Sequence, residues 1–106
     1  MTVNDLLHTV RAAKATTQSD AMLLQYLNEI EGRAQTDVMG IAPEDTVEHS
    51  SGYEILLIPA PHDKLYIYYL MAMVDFGDGE YQKYQNQLEM ANAAFSEWAK
   101  WWQRTR

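Results

Sequence analysis

The chain predicts an all-α fold of about four helices, the last two forming a long helical hairpin, with a long mid-chain loop carrying one short β-strand. Three observations lead there. Tyr81, Tyr84, Leu88, Ala91, Phe95, Trp98 and Trp102 recur in alternating steps of three and four, the stripe of one long helix. A second stripe, Leu65, Tyr69, Ala72, Met73 and Phe76, runs just upstream, and Gly77-Asp78-Gly79 breaks the chain between the two. Only Tyr53–Ile58, bounded by Gly52 and Pro59, is a β-prone run.

Each element has its own local signals. The first helix, about residues 3–14, opens at Thr2, with Asp5 three residues on as a capping-box partner; its apolar face is Val3, Leu6, Leu7 and Val10. The second, about 19–39, opens at Thr17 or Ser19, carries the stripe Leu23, Tyr26, Leu27, Ile30 and Ala34, and should stop before Gly40. On its outer face Glu29 and Arg33 sit four apart in the favourable order. From 40 to 60 the composition changes to a loop punctuated by Pro43, Gly52 and Pro59, and its lone strand must pair with something, within the loop or in a neighbouring subunit. Pro61 suits the first position of a third helix, about 61–76, with Phe76 as its last core residue and Gly77 as its left-handed cap. The fourth, about 79–104, places Asp78 and Glu80 at its start and Lys100, Arg104 and Arg106 at its end, in keeping with the helix dipole.

At 106 residues the chain makes one domain with one modest core. It has no cysteine, which excludes disulfides, a thiolate nucleophile and cysteine-ligated metals. The start of the sequence does not read as a signal peptide, and the apolar run Leu65–Phe76 is short of the roughly 20 residues a bilayer requires. Net charge is −7, with five acids and no Lys or Arg between Asp37 and Glu54. An acidic chain with few clustered cations is a poor fit for specific nucleic-acid binding. The acidic stretch reads as a solvated loop.

No arrangement of residues suggests catalysis, a cofactor or a metal. His8, His49 and His62 fall in different elements without a ligand partner at helical spacing, and read as surface or capping histidines. Asp75-Phe76-Gly77 spells a kinase tripeptide, but the Gly-rich loop and the other catalytic motifs are missing. Asp75, Asp78 and Glu80 surround a turn far too short for a calcium loop. Ser50-Ser51-Gly52 is no nucleophile elbow, and the acid pairs Glu29/Glu31 and Glu44/Asp45 come with no apolar pocket to perturb them. The aromatics are more informative. Tyr69, Phe76, Tyr84, Phe95 and Trp98 read as core, whereas Tyr66 and Trp101 lie off the main stripes. Surplus aromatics of this kind are typical of protein–protein contacts. Together with Tyr53, Ile55 and Leu57 of the strand, they form the expected contact surface.

Several segments together resemble small proteins encoded by prophages of Gram-positive gut bacteria. They are Thr2–Leu6, Ser19-Asp20 with Tyr26–Arg33, Asp63–Leu70, Asp75–Tyr81 with Tyr84, and Asn92–Phe95 with the aromatic-basic end; residues 35 to 52 match least. Asp78 stands where that pattern has an Asn-Gly turn. The group is in turn similar to the head–tail connector (adaptor) proteins of long-tailed bacteriophages, a step that rests on size, helix order and the long mid-chain insertion. The resemblance implies a non-enzymatic virion protein made in the bacterial host cytoplasm. It would be a self-assembling ring, commonly of twelve copies, between the portal protein and a tail-proximal head completion protein. It implies no membrane and no catalytic residue. The rival reading is a small helical regulatory module, antitoxin- or anti-repressor-like, that binds another protein as a monomer or dimer.

Overall fold

The computed structural model describes all 106 residues and contains four α-helices and almost no strand. Helix α1 spans Val3–Ala13, α2 Asp20–Arg33, α3 Lys64–Gly77 and α4 Tyr81–Arg104. A short 3-10 turn, Pro43–Asp45, lies within the long connection between α2 and α3. The all-α architecture is as the periodicities predict. No helix is long and apolar enough to cross a membrane.

The caps follow from the residues that supply them. Thr2 and Asp5 close a capping box on α1: the Asp5 N–H donates to Thr2 Oγ1 at 3.1 Å and the Thr2 N–H to Asp5 Oδ2 at 3.0 Å. Hydrogen bonding from the Thr2 N–H, then from the Thr2 side chain, with the nearby N-terminal charge, holds the Asp5 carboxyl below its usual range. Ser19, rather than Thr17, caps α2, its hydroxyl accepting from the Met22 N–H at 3.1 Å. Beyond Arg33 the helix widens into one π turn, Ala34–Val38, in which the Met39 N–H reaches the Ala34 carbonyl at 3.1 Å. Gly40, at φ +72°, then turns the chain away, so the second helical unit stops where the sequence says it should.

α3 is the axis of the molecule. Leu65, Tyr66, Leu70, Ala72, Val74 and Asp75 are all buried and face several directions, because α1, α2 and α4 each pack on this one helix. Its start differs from expectation. Pro61 does not open the helix; it follows Ala60 through a cis peptide bond in a turn over residues 59–63, and α3 begins at Lys64. The far end differs too. Gly77 remains helical, and Gly79 adopts the left-handed conformation at φ +76°, while the Glu80 N–H closes back on the Asp75 carbonyl at 2.9 Å.

α4, 24 residues and so about 36 Å long, nearly fills the 39 Å long axis of the molecule. Its buried stripe is shorter than the sequence suggests: Ala91, Ala94, Phe95 and Trp98. At the end of α3, Val74 and Asp75 are buried, but Phe76 is 51% exposed and is not the last core residue. It makes edge-on contacts with Tyr81 and Tyr84 at centroid distances of 5.8 and 5.1 Å. Tyr69 and Tyr84 are half-buried, whereas Phe95 and Trp98 lie in the core as expected. A buried ion pair between Lys14 and Asp75 ties the end of α1 to α3.

Candidate functional site

The connection between α2 and α3 is not a loosely solvated loop over its whole length. Asn28 and Glu31 of α2 and Gln35 of the π turn that continues it stand three and four residues apart and share one helical face. Each grips the backbone of residues 47–57. Asn28 brackets His49, its Oδ1 accepting the His49 N–H at 2.8 Å and its Nδ2 donating to the His49 carbonyl at 3.1 Å. Gln35 does the same at Val47, with bonds of 2.9 and 3.0 Å. Both amides thus imitate an adjacent strand.

Glu31 carries the centre of this clamp. Its Oε1 accepts the Leu57 N–H at 2.8 Å and the Tyr66 hydroxyl at 2.5 Å, and its Oε2 meets His49 Nε2. The Tyr66 oxygen in turn accepts the Ile58 N–H at 2.9 Å. The other ring nitrogen of His49 lies 3.0 Å from Glu54 Oε2, and Glu54 Oε1 accepts from the Ser50 and Ser51 N–H groups at 2.8 and 2.7 Å. Both ring nitrogens of His49 are thus occupied by carboxylate oxygens, one from α2 and one from the connection.

Burying a carboxylate costs several kcal/mol unless its lone pairs are met, and Glu31 is fully buried. Here three donors converge on it from the connection and from α3. Burial, reinforced by the Glu31 charge, pushes the Tyr66 phenol far above its ordinary range, so it stays a donor. Hydrogen bonds from the Ser50 N–H, then the His49 ring, then the Ser51 N–H, hold the Glu54 carboxyl below its usual range.

These contacts correct four sequence readings. Tyr66 is 0% exposed and is a member of the clamp, so it contributes nothing to a contact surface. It lies off the apolar stripe because α3 is covered on several sides. His49 is buried and is no surface histidine. Glu31 does have an enclosed site, which the connection itself builds over α2. Glu54 belongs to the clamp, while Glu44, Asp45 and Glu48 remain exposed as a solvated stretch should. A polar run at 28, 31 and 35 beside the apolar Leu27, Ile30 and Ala34 was the available signal for the clamp.

The clamp presents an edge. Tyr53–Ile58 does not form a strand of its own; Ile55 makes a single antiparallel bridge with Thr2. The flanking bonds, Val3 N–H to the Glu54 carbonyl and Leu56 N–H to the Met1 carbonyl, are each 3.0 Å. In that pattern the N–H and C=O of Ile55 itself point away from the N-terminal segment, and neither has a partner within the chain. Leu56 and Ile58 are buried, whereas Tyr53, Ile55 and Leu57 alternate outward at 86, 73 and 43% exposure. Trp101 is elsewhere: half-buried at the margin of the core, with its ring 5.4 Å from that of His62. Of the five expected contact residues, the fold gathers three into one edge.

Beside the clamp, a groove runs between α2 and residues 48–52 and on toward α1. It comprises two hollows of about 500 and 230 Å³ that share Ala21, Leu24 and Ser50. Its lining is mixed and mostly polar, with Glu29 and Glu48 at the larger hollow and Asp20 at the smaller. No three carboxylate or histidine groups are arranged to hold a metal ion. Comparison with family models, curated proteins and solved structures finds no match to this chain.

Proposed function

We propose that this protein is a phage or prophage head–tail connector: a helical subunit that oligomerises as a ring between portal and tail. The observation that carries the reading is the Tyr53–Leu57 edge, a row of exposed apolar side chains with unpaired main-chain groups at Ile55, held in place by buried contacts to α2 and α3. The helical body fixes this edge, and a short main-chain pairing at Ile55 would supply affinity while the alternate side chains Tyr53, Ile55 and Leu57 supply specificity. The resemblance of several segments to small prophage proteins, and of that group to connectors in size, helix order and mid-chain insertion, favours the same reading. Net charge of −7 suits a conduit, since an acidic lumen does not hold DNA in passage.

The test is co-expression with a portal protein from the same genome, followed by electron microscopy for rings and a particle-completion assay. Ile55→Pro is the clean probe, because the Ile55 N–H makes no hydrogen bond within the chain and the side chain lies outside the core. It should leave the helical circular-dichroism spectrum intact and abolish incorporation. Trp101→Ala is a mixed probe, because that ring also packs on the core margin. Normal completion of infectious particles by the Ile55→Pro variant would rule out this surface, and absence of rings on the portal would remove the connector reading.

A further inference from the structure

We propose that, in the free protein, the Tyr53–Leu57 edge pairs with the same edge of a second copy across a two-fold axis at Ile55, giving a weak, reversible dimer. The occupant follows from which main-chain groups remain. The Leu57 N–H is taken by Glu31, and the Tyr53 N–H turns back to Ser51 Oγ at 3.3 Å. Only Ile55 therefore offers both a free N–H and a free C=O. A long strand laid along this edge would meet spent donors on either side of Ile55. An antiparallel pair centred on one residue needs one donor and one acceptor from each chain, and two copies of Ile55 supply that set.

The side chains agree with this register. With Ile55 opposite the partner's Ile55, Tyr53 lies opposite the partner's Leu57, and all six exposed apolar side chains share one face. Aromatic–aliphatic and β-branched cross-strand pairs are favourable, and Glu54, the acid nearest the axis, is turned inward onto His49 and the Ser50 and Ser51 amides. A two-fold contact of this kind is self-complementary by construction.

The area sets the strength. Three side chains of this exposure offer on the order of 400 Å² per copy, about half of the roughly 800 Å² per partner in a standard stable interface. That places the dimer among weak, reversible contacts. Charge acts against it: both copies carry −7, so added salt should strengthen the association, the reverse of a contact driven by ion pairs. Neighbours in a closed ring meet through unlike surfaces. A protomer whose edge is held by a two-fold partner cannot offer that edge to a ring neighbour. The dimer is therefore a stored form that must open before assembly.

The chain has no cysteine, so single-cysteine variants report the register directly. A hydrogen-bonded antiparallel pair holds its Cα atoms about 5.5 Å apart, within the span a disulfide bridges. Mild oxidation of the full-length protein should convert Ile55→Cys to covalent dimer at least tenfold faster than Tyr53→Cys or Leu57→Cys alone. In the same register two copies of residue 53 lie roughly 13 Å apart and cannot bridge. A mixture of the Tyr53→Cys and Leu57→Cys variants should cross-link to each other. Sedimentation of the wild type should show a concentration-dependent dimer that tightens with salt, and Ile55→Asp should weaken it at least tenfold with an unchanged circular-dichroism spectrum. Equal cross-linking of all three single variants would indicate random collision and overturn the proposal. So would a wild type that stays monomeric at its solubility limit, or a dimer that survives Ile55→Asp. Ring formation on the portal is read separately, so failure of the dimer and failure of the connector reading are distinguishable.

Discussion

The α3–α4 hairpin and the connection over residues 46–58 are both ordered parts of one domain, yet they are held by opposite means. The hairpin is fixed by apolar packing between helices that are neighbours in sequence, with Leu65, Leu70, Val74, Ala94, Phe95 and Trp98 as its interior. The connection contributes Leu56 and Ile58 to the core but is otherwise fixed by hydrogen bonds to Asn28, Glu31, Gln35 and Tyr66, which are distant in sequence. Hydrophobic packing tolerates small shape changes and loses stability gradually as volume is removed. A buried polar cluster behaves differently, because removal of one member leaves its partners unsatisfied. The hairpin should therefore fail by degrees and the connection by loss of single groups.

The largest effect should come from the hairpin. Trp98→Ala deletes the largest fully buried side chain and should cost about 3–5 kcal/mol in denaturant unfolding. A loss of a few tenths would mean that the ring is not a core anchor. The clamp should come next. Glu31→Gln keeps the size of the side chain but removes its charge and turns an amide toward His49 or Tyr66, at a cost of about 2–3 kcal/mol. Hydrogen exchange at the Leu57 and Ile58 amides should rise more than exchange in α4. Equal acceleration in both regions would show that the two are one cooperative unit, and the contrast drawn above would disappear.

Smaller changes should appear with pH. The Glu54 carboxyl is held below its ordinary range, so its contribution is complete above the usual carboxylate pKa and is lost as pH falls through the lower folded-state value. Glu54→Gln should accordingly destabilise at neutral pH and flatten the acid side of the stability profile; an unchanged acid limb would remove Glu54 from the clamp's account. At the other end, burial pushes Tyr69 up to about 12, aided by Glu29, whose carboxylate accepts its hydroxyl at 3.1 Å. A raised tyrosine stabilises below its unfolded pKa and loses that contribution as pH rises through the folded one. Stability should therefore decline above about pH 10, and Tyr69→Phe should lessen that decline. The smallest effect belongs to the cap: Thr2→Ala should cost about 1 kcal/mol, read as a shift in the thermal midpoint.

The helices were legible in the sequence because their causes are local. The Thr2–Asp5 box, the Ser19 cap, the stop at Gly40 and the stripe through Ala91, Phe95 and Trp98 are each set by residues within a few positions of one another. The exposure of Tyr53, Ile55 and Leu57 was also readable, since alternation in a short β-prone run assigns its two faces. What the sequence could not assign was the environment around a side chain when that environment comes from far along the chain. Phe76 carries every local sign of a core residue yet is half exposed, its ring packed edge-on against Tyr81 and Tyr84 while the neighbouring Val74 and Asp75 take the buried positions. Tyr66 and His49 carry the signs of surface residues and are buried because Glu31, 35 and 18 positions away, brings the connection down onto α2. Local propensity and periodicity determined the elements; which polar groups became interior was decided only when three distant segments closed on one carboxylate and its desolvation had to be offset by their donors.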